Sequence, residues 1–105
     1  MSVIDFLKQM AASFDPKAAE GTNCNIQFNT SKPAYLTIKD GTCALTEGTA
    51  PGADVTLIME DDDLIALLKG ELNGMQAFMT GKLQLEGDMM LGQRMSNFFD
   101  RSKLN

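Results

Sequence analysis

The sequence predicts a small α+β domain, a five-stranded and mostly antiparallel sheet covered on one face by helices. Three observations point there. Apolar residues at helical spacing open and close the chain, and alternating apolar and polar residues fill positions 24–59 between them. The length of 105 residues with 44% hydrophobic content supports one core and leaves no room for a second, so a single domain is expected over 1–105.

The opening segment, 2–14, carries Val3, Leu7, Met10 and Phe14 along one helical stripe, which Ile4, Phe6 and Ala11 widen. Ser2 is placed to cap its start. Asp15-Pro16 ends it, because the residue before a proline is forced out of the helical region.

Strands follow. Cys24, Ile26 and Phe28 take one face of the first, with Asn25, Gln27 and Asn29 on the other. Leu36 and Ile38 repeat the alternation against Tyr35, Thr37 and Lys39. Asp40-Gly41 signals a tight hairpin turn, after which Cys43 and Leu45 lie on the third strand. Beyond a loop at Thr49-Ala50-Pro51-Gly52, Ala53, Val55, Leu57 and Met59 alternate with Asp54, Thr56 and Glu60. This predicts a sheet with one buried side.

Asp61-Asp62-Asp63 precedes Leu64 to Leu68 and then Lys69-Gly70, with acidic residues at the start of a helix and a basic residue and glycine at its end. A short helix from Gly74 to Thr80 sets Met75, Phe78 and Met79 on one face. Leu83 and Leu85 mark a fifth strand closed by Gly87-Asp88. Met89 to Asp100 reads as a last helix, with Leu91, Met95 and Phe98 aligned and Met89, Met90 and Phe99 beside them. Gly92 sits inside that helix, where glycine costs about 1 kcal/mol relative to alanine. Its presence suggests close packing or local mobility.

Composition excludes several function classes. The formal net charge of −5, with no dense run of Lys or Arg, disfavours nucleic acid and permanent residence on an anionic membrane surface. The chain has no histidine, so Ser-His-Asp and Cys-His nucleophilic sites are excluded, as is any His-ligated metal. The two cysteines, Cys24 and Cys43, cannot build a four-cysteine zinc site and form no disulfide framework. The N-terminus has no basic region and no long apolar run, so no secretory signal is expected, and a reduced cytosolic setting fits best. The run Glu60-Asp61-Asp62-Asp63 lacks the spacing of a calcium loop and reads as helix capping and dipole compensation. No catalytic residue, cofactor or metal is expected.

Methionine placement is the informative feature. Of eight methionines, Met75, Met79, Met89, Met90 and Met95 fall in one region, together with Phe78, Phe98 and Phe99. Methionine is flexible and polarizable and fits irregular apolar shapes. The cluster therefore reads either as ordinary core or as the deformable wall of an apolar ligand site. Composition leaves both readings open.

The stretch Asp54-Val55-Thr56-Leu57, then Leu64, Leu67 and Gly70, then Ala77 through Asp88 (AFMTGKLQLEGD), closely resembles the sterol carrier protein 2, or non-specific lipid-transfer, family. The resemblance extends over nearly the whole chain. It implies an apolar tunnel between the sheet and its helices that holds fatty acids, fatty acyl-CoA or sterols with little selectivity, in a monomeric, non-catalytic carrier. Mapped onto this sequence, the lining would be Phe78, Met79, Leu83, Leu85, Met89, Leu91, Met95, Phe98 and Phe99, with Phe6, Met10 and Ile26 on the far side. Gln84 or Gln93 would offer a polar handle for a head group. The alternative is an accessory module whose groove takes a protein partner, and transient membrane contact fits either. Many eukaryotic members end in a peroxisomal signal. Here Asn105 follows Ser102-Lys103-Leu104, so peroxisomal import is expected only if Asn105 is not native.

Overall fold

The computed structural model describes residues 3–94, with position 93 as backbone only, together with Phe98 and Phe99. Helix α1 (Val3–Ala12) buries Val3, Ile4, Phe6, Leu7 and Met10, the stripe its spacing predicts. Ser13 stops it: its buried hydroxyl donates to the Met10 carbonyl at 2.8 Å.

Strands β1 (Cys24–Asn29), β2 (Ala34–Lys39), β3 (Thr42–Glu47), β4 (Val55–Ile58) and β5 (Gln84–Gly87) form one sheet in the order β3-β2-β1-β4-β5. The pairs β1–β2, β2–β3 and β4–β5 are antiparallel. The central pair β1–β4 is parallel, with Ile26 opposite Val55 and Phe28 opposite Leu57. Asp40 and Gly41 both hold positive φ, 51° and 77°, the geometry a two-residue hairpin turn needs to match strand twist. The inward residues Ile26, Phe28, Leu36, Ile38, Val55 and Leu57 are buried and join α1 in one core.

Gln27 departs from the polar face expected of it and is only 2% exposed. Its Nε2 donates to the Gly48 carbonyl (3.1 Å) and the Ala34 carbonyl (3.3 Å), and its Oε1 accepts from the Ala50 N–H at 2.8 Å. The amide thereby satisfies the backbone of the loop that folds over it, and a buried polar group so paired carries little penalty.

Asp54 ties the start of β4 to Asn25 of β1 and to Asp88 beyond β5. Its Oδ2 accepts from the Asn25 N–H at 2.8 Å, and its own N–H donates to the Asn25 carbonyl at 2.9 Å. Its carbonyl accepts from the Asp88 N–H at 2.8 Å, while Asp88 Oδ1 accepts from the Leu91 N–H at 3.1 Å. Asp88 thus caps helix α4 (Met89–Arg94). Gly87, at φ +93°, lies so close that a Cβ there would stand 2.4 Å from the Asp54 carbonyl oxygen.

Helix α2 (Asp61–Lys69) ends on Gly70 in the left-handed region, as its sequence predicts. Its acidic start behaves differently from the capping expected. Glu60 occupies the cap position without a side-chain hydrogen bond, and Asp61 instead accepts from both the N–H and the hydroxyl of Ser31. These bonds, the side-chain one foremost, hold the Asp61 carboxyl below its ordinary 3.8. Helix α3 (Gly74–Met79) is capped by Asn73, whose Oδ1 accepts from the N–H groups of Met75 and Gln76.

The last helix expected over 89–100 is described only as α4, and Phe99 is not a continuation of it. Phe99 forms an antiparallel bridge with Phe14, the two rings packing edge to face at 5.9 Å, and the Asp15 N–H donates to the Phe98 carbonyl at 2.7 Å. An edge-to-face ring pair of this kind stabilises the closure of the chain onto the end of α1.

Gly87→Ala is expected to destabilise the fold by on the order of 3 kcal/mol, combining positive φ with a backbone clash. Gly21→Ala, at φ +78° with open space around it, should cost about 1–2 kcal/mol. Urea midpoints of the two variants check the difference. For Asp61 the native carboxyl pKa is depressed, so its contribution is present above the unfolded value near 3.8 and is lost as pH falls through the lower native value. The stability gap between wild type and Asp61→Asn should therefore shrink below about pH 4, as read by denaturant melts across acid pH.

Candidate functional site

Between α2, α3, β5 and α4 lies a cavity of about 630 Å³. Leu57 of β4 and Leu85 of β5 form its floor with Leu83; Leu67, Leu68 and Leu72 form one wall; Met75 and Phe78 of α3 and Met89 and Gly92 of α4 complete it. Polar groups enter through Glu71, Asn73 and Gln76. The volume falls within the range of about 300–1,000 Å³ typical of small-molecule sites.

Small residues and caps shape this space. Gly70 turns the chain sharply after α2, and Asn73 caps α3, both residues lining the cavity. A Cβ on Gly74 would lie 3.3 Å from Leu67 Cδ1, and one on Gly92 would lie 3.2 Å from Leu85 Cδ2. Gly92 therefore marks close packing of α4 on the sheet, one of the two readings its helical position allowed.

The structure separates the residues singled out from sequence. Phe78, Leu83, Leu85 and Met89 line the cavity. Phe6, Met10, Ile26, Leu91, Phe98 and Phe99 are buried in the core and do not line it. Met79 is 80% exposed and is not among the lining residues. Met95 lies outside the described residues. Leu57, Leu67, Leu68 and Leu72 also line the cavity and were not singled out as lining, and Met75, from the methionine cluster, joins them. Gly70, with the leucines on either side of it, is the signal that locates them. Gln84 belongs to a separate shallow depression of about 500 Å³, which it shares with Glu60, Asp63 and Lys82, and the side chain of Gln93 is not described.

Among the described residues, no group of three or more His, Cys, Asp or Glu is placed to hold a metal ion. No helix among them is long and apolar enough to cross a membrane.

With this geometry in hand, the chain can be set beside known proteins. The model of the SCP-2 sterol transfer family matches residues 5–100. The oleate-induced peroxisomal protein POX18 of Candida maltosa is 40% identical over 63 residues, 60% of this chain and half of that protein's length. Sterol carrier protein 2 from Yarrowia lipolytica, solved in its apo form, superposes with a TM-score of 0.67 at 30% identity, covering 93% of this chain and 79% of that one. Palmitated SCP2L2 from Aedes aegypti shares the fold, with a TM-score of 0.73 at 22% identity over 91% of this chain and 92% of that one.

The two thiols remain as nucleophiles to consider. Both cysteines are free. Burial, with the Asp54 carboxylate adding to it, pushes the Cys24 thiol up to about 11. Burial, followed by the neighbouring Cys24, pushes Cys43 up to about 12. Neither thiol is poised for chemistry at neutral pH, because the thiolate is the reactive form. Alkylation by iodoacetamide at pH 8 should run at least about tenfold slower in the folded chain than in denaturant, followed by mass spectrometry.

Proposed function

The chain belongs to the SCP-2 sterol transfer family, whose membership implies lipid binding or transfer, and from that premise we propose a non-catalytic carrier that holds fatty acids, fatty acyl-CoA or sterols in the cavity beside β5. The observation that carries this reading is the cavity itself, about 630 Å³ walled by Leu57, Leu67, Leu68, Leu72, Met75, Phe78, Leu83, Leu85 and Met89. An apolar chain entering it would gain about 0.8 kcal/mol per CH₂ removed from water. A chain of about sixteen carbons thus has a gross gain on the order of 12 kcal/mol before ordering costs. Micromolar affinity needs about 8 kcal/mol, so the apolar term suffices without a dedicated polar contact.

That balance is the physical basis for low selectivity. Shape is set by leucines on the sheet side and by flexible methionines at the mouth, which repack around different chains. Glu71, Asn73 and Gln76 at the rim offer polar contacts to a head group. Movement of α4 would open and close the site. The palmitated SCP2L2 structure supports a fatty acid as one cargo. The free cysteines support a reducing compartment, and we place the carrier in the cytosol as a monomer.

An accessory module that docks a protein partner is the second reading, favoured by the exposure of Met75 (66%) and Phe78 (45%) at the same mouth. The carrier is tested by native mass spectrometry followed by solvent extraction, and by displacement of a fluorescent fatty acid. Lipid released on extraction, or micromolar displacement, is the expected result. A clean apo mass with no fatty-acid binding up to high micromolar levels would sink the carrier and favour the module. Leu85→Trp should fill the cavity and weaken fatty-acid binding by at least about tenfold, while the fold survives at this half-buried edge position. Since the chain has no native tryptophan, the new residue also reports occupancy by its fluorescence.

A further inference from the structure

The cavity carries its charge at one place. Among the described residues that line it, Glu71 is the one with a charged side chain; the other polar members are Asn73 and Gln76, and all three are exposed at the rim. The basic side chains described on the bordering elements are engaged elsewhere. Lys69, the last residue of α2, holds its Nζ over the Phe6 ring at 5.9 Å, and Arg94, the last of α4, lies over the Phe98 ring at 5.9 Å. Lys82 borders the separate depression with Glu60 and Asp63.

Much of the backbone beside Glu71 is committed as well. The Gly70 N–H donates to the Leu67 carbonyl at 3.1 Å, and those of Glu71 and Leu72 both donate to the Ala66 carbonyl, at 2.8 and 3.1 Å. At the start of α3, Asn73 Oδ1 accepts from the N–H groups of Met75 and Gln76, and the Asn73 carbonyl accepts from that of Ala77. These N–H groups, which elsewhere in proteins stabilise a bound anion, are spent on the chain itself. What the rim offers a head group is a carboxylate, which only accepts hydrogen bonds, and the side-chain amides of Asn73 and Gln76, which can donate them.

We propose that Glu71 is a charge filter on the cargo: it makes the site favour an amphiphile with an uncharged hydroxyl head over one of equal chain length with a carboxylate. The proposal deepens the carrier reading and rests on it. A hydroxyl can donate to Glu71 and accept from Gln76, so it suits both kinds of group. A carboxylate only accepts. Beside Glu71 it meets a like charge, and at a wall of leucines it leaves part of its hydration behind. Two unit charges repel more strongly at a protein surface than in bulk water, because apolar protein of low dielectric lies on one side of them. The apolar walls still accept many chain shapes, and the filter acts on the head alone.

The test uses the full chain with dodecanol and dodecanoate, each displacing an uncharged pyrene-labelled alkyl probe at neutral pH and low salt. Wild type should bind dodecanol about tenfold more tightly than dodecanoate. Glu71→Gln keeps the shape and removes the charge; it should tighten dodecanoate about threefold or more and move dodecanol by less than about twofold. Glu60→Gln removes the same charge from the separate depression and should leave the ratio of the two affinities as in wild type, which distinguishes a local filter from the net charge of −5. Added salt should narrow the gap between the two compounds in wild type and hardly change it in Glu71→Gln. Equal dodecanoate affinity in wild type and Glu71→Gln overturns the proposal, as does an equal gain in Glu60→Gln. Dodecanoate bound more tightly than dodecanol by wild type also overturns it, and assigns the head group to a cation. Binding of both compounds with a ratio indifferent to residue 71 refutes the filter and leaves the carrier standing. Binding of neither refutes the carrier reading and the filter with it.

Discussion

The fold depends on the close approach of Gly87 to Asp54. Two ends of the structure meet there: the start of β4, paired in parallel with β1, and the end of β5, which turns into α4. The carboxylate of Asp54 accepts from the Asn25 N–H at the start of β1, and its carbonyl accepts from the Asp88 N–H as the chain leaves β5. Only a residue without Cβ admits this approach, since any other would drive a carbon into the Asp54 carbonyl. Asp88 then caps α4. One aspartate thus relates the sheet centre, its edge and the helix that bounds the cavity.

The cavity follows from that arrangement. Because β5 is an edge strand, Leu85 has a strand neighbour on one side only, opposite Leu57. Gly70 ends α2 in the left-handed region and Asn73 caps α3, so the chain is redirected between the two helices that border this end of the sheet. What they border is the cavity at the sheet margin, where leucines share the lining with Glu71, Asn73 and Gln76. At the other end α1 packs against β3 and seals the core. The molecule is therefore dense on one side and hollow on the other, and its long apolar side chains divide accordingly between packing and lining.

Much of this was legible in the residues. Strand alternation gave the faces of β1 to β4, Asp40-Gly41 gave the hairpin, and Gly70 gave the end of α2, because each is a local rule with a local cause. The parallel pairing of β1 with β4 was not legible, since alternation reports which face is buried and says nothing of which strand lies alongside. Gln27 read as a surface residue because its partners, Gly48 and Ala50, come from a loop more than twenty positions away. Periodicity could not divide the cluster of methionines and phenylalanines. Phe98 and Phe99 went to the core through a contact with the end of α1, while Met79 and Met90 went to the surface. The family resemblance carried the fold correctly; of the residues mapped from it, Phe78, Leu83, Leu85 and Met89 border the cavity, while Phe6, Met10, Ile26, Leu91, Phe98 and Phe99 are buried.

The parallel pairing also bears on the order in which the chain can assemble. Asn25 and Asp54 are 29 residues apart in sequence, and between them lie β2, β3 and their two-residue turn. The β2–β3 hairpin closes a short loop and forms cheaply, whereas β1–β4 pairing must wait for a long one to close. β5 has nothing to pair with until β4 is in place. By loop-closure entropy the β1–β4 and β4–β5 pairings are thus the costlier part of this topology to reach, and the local hairpin the cheaper.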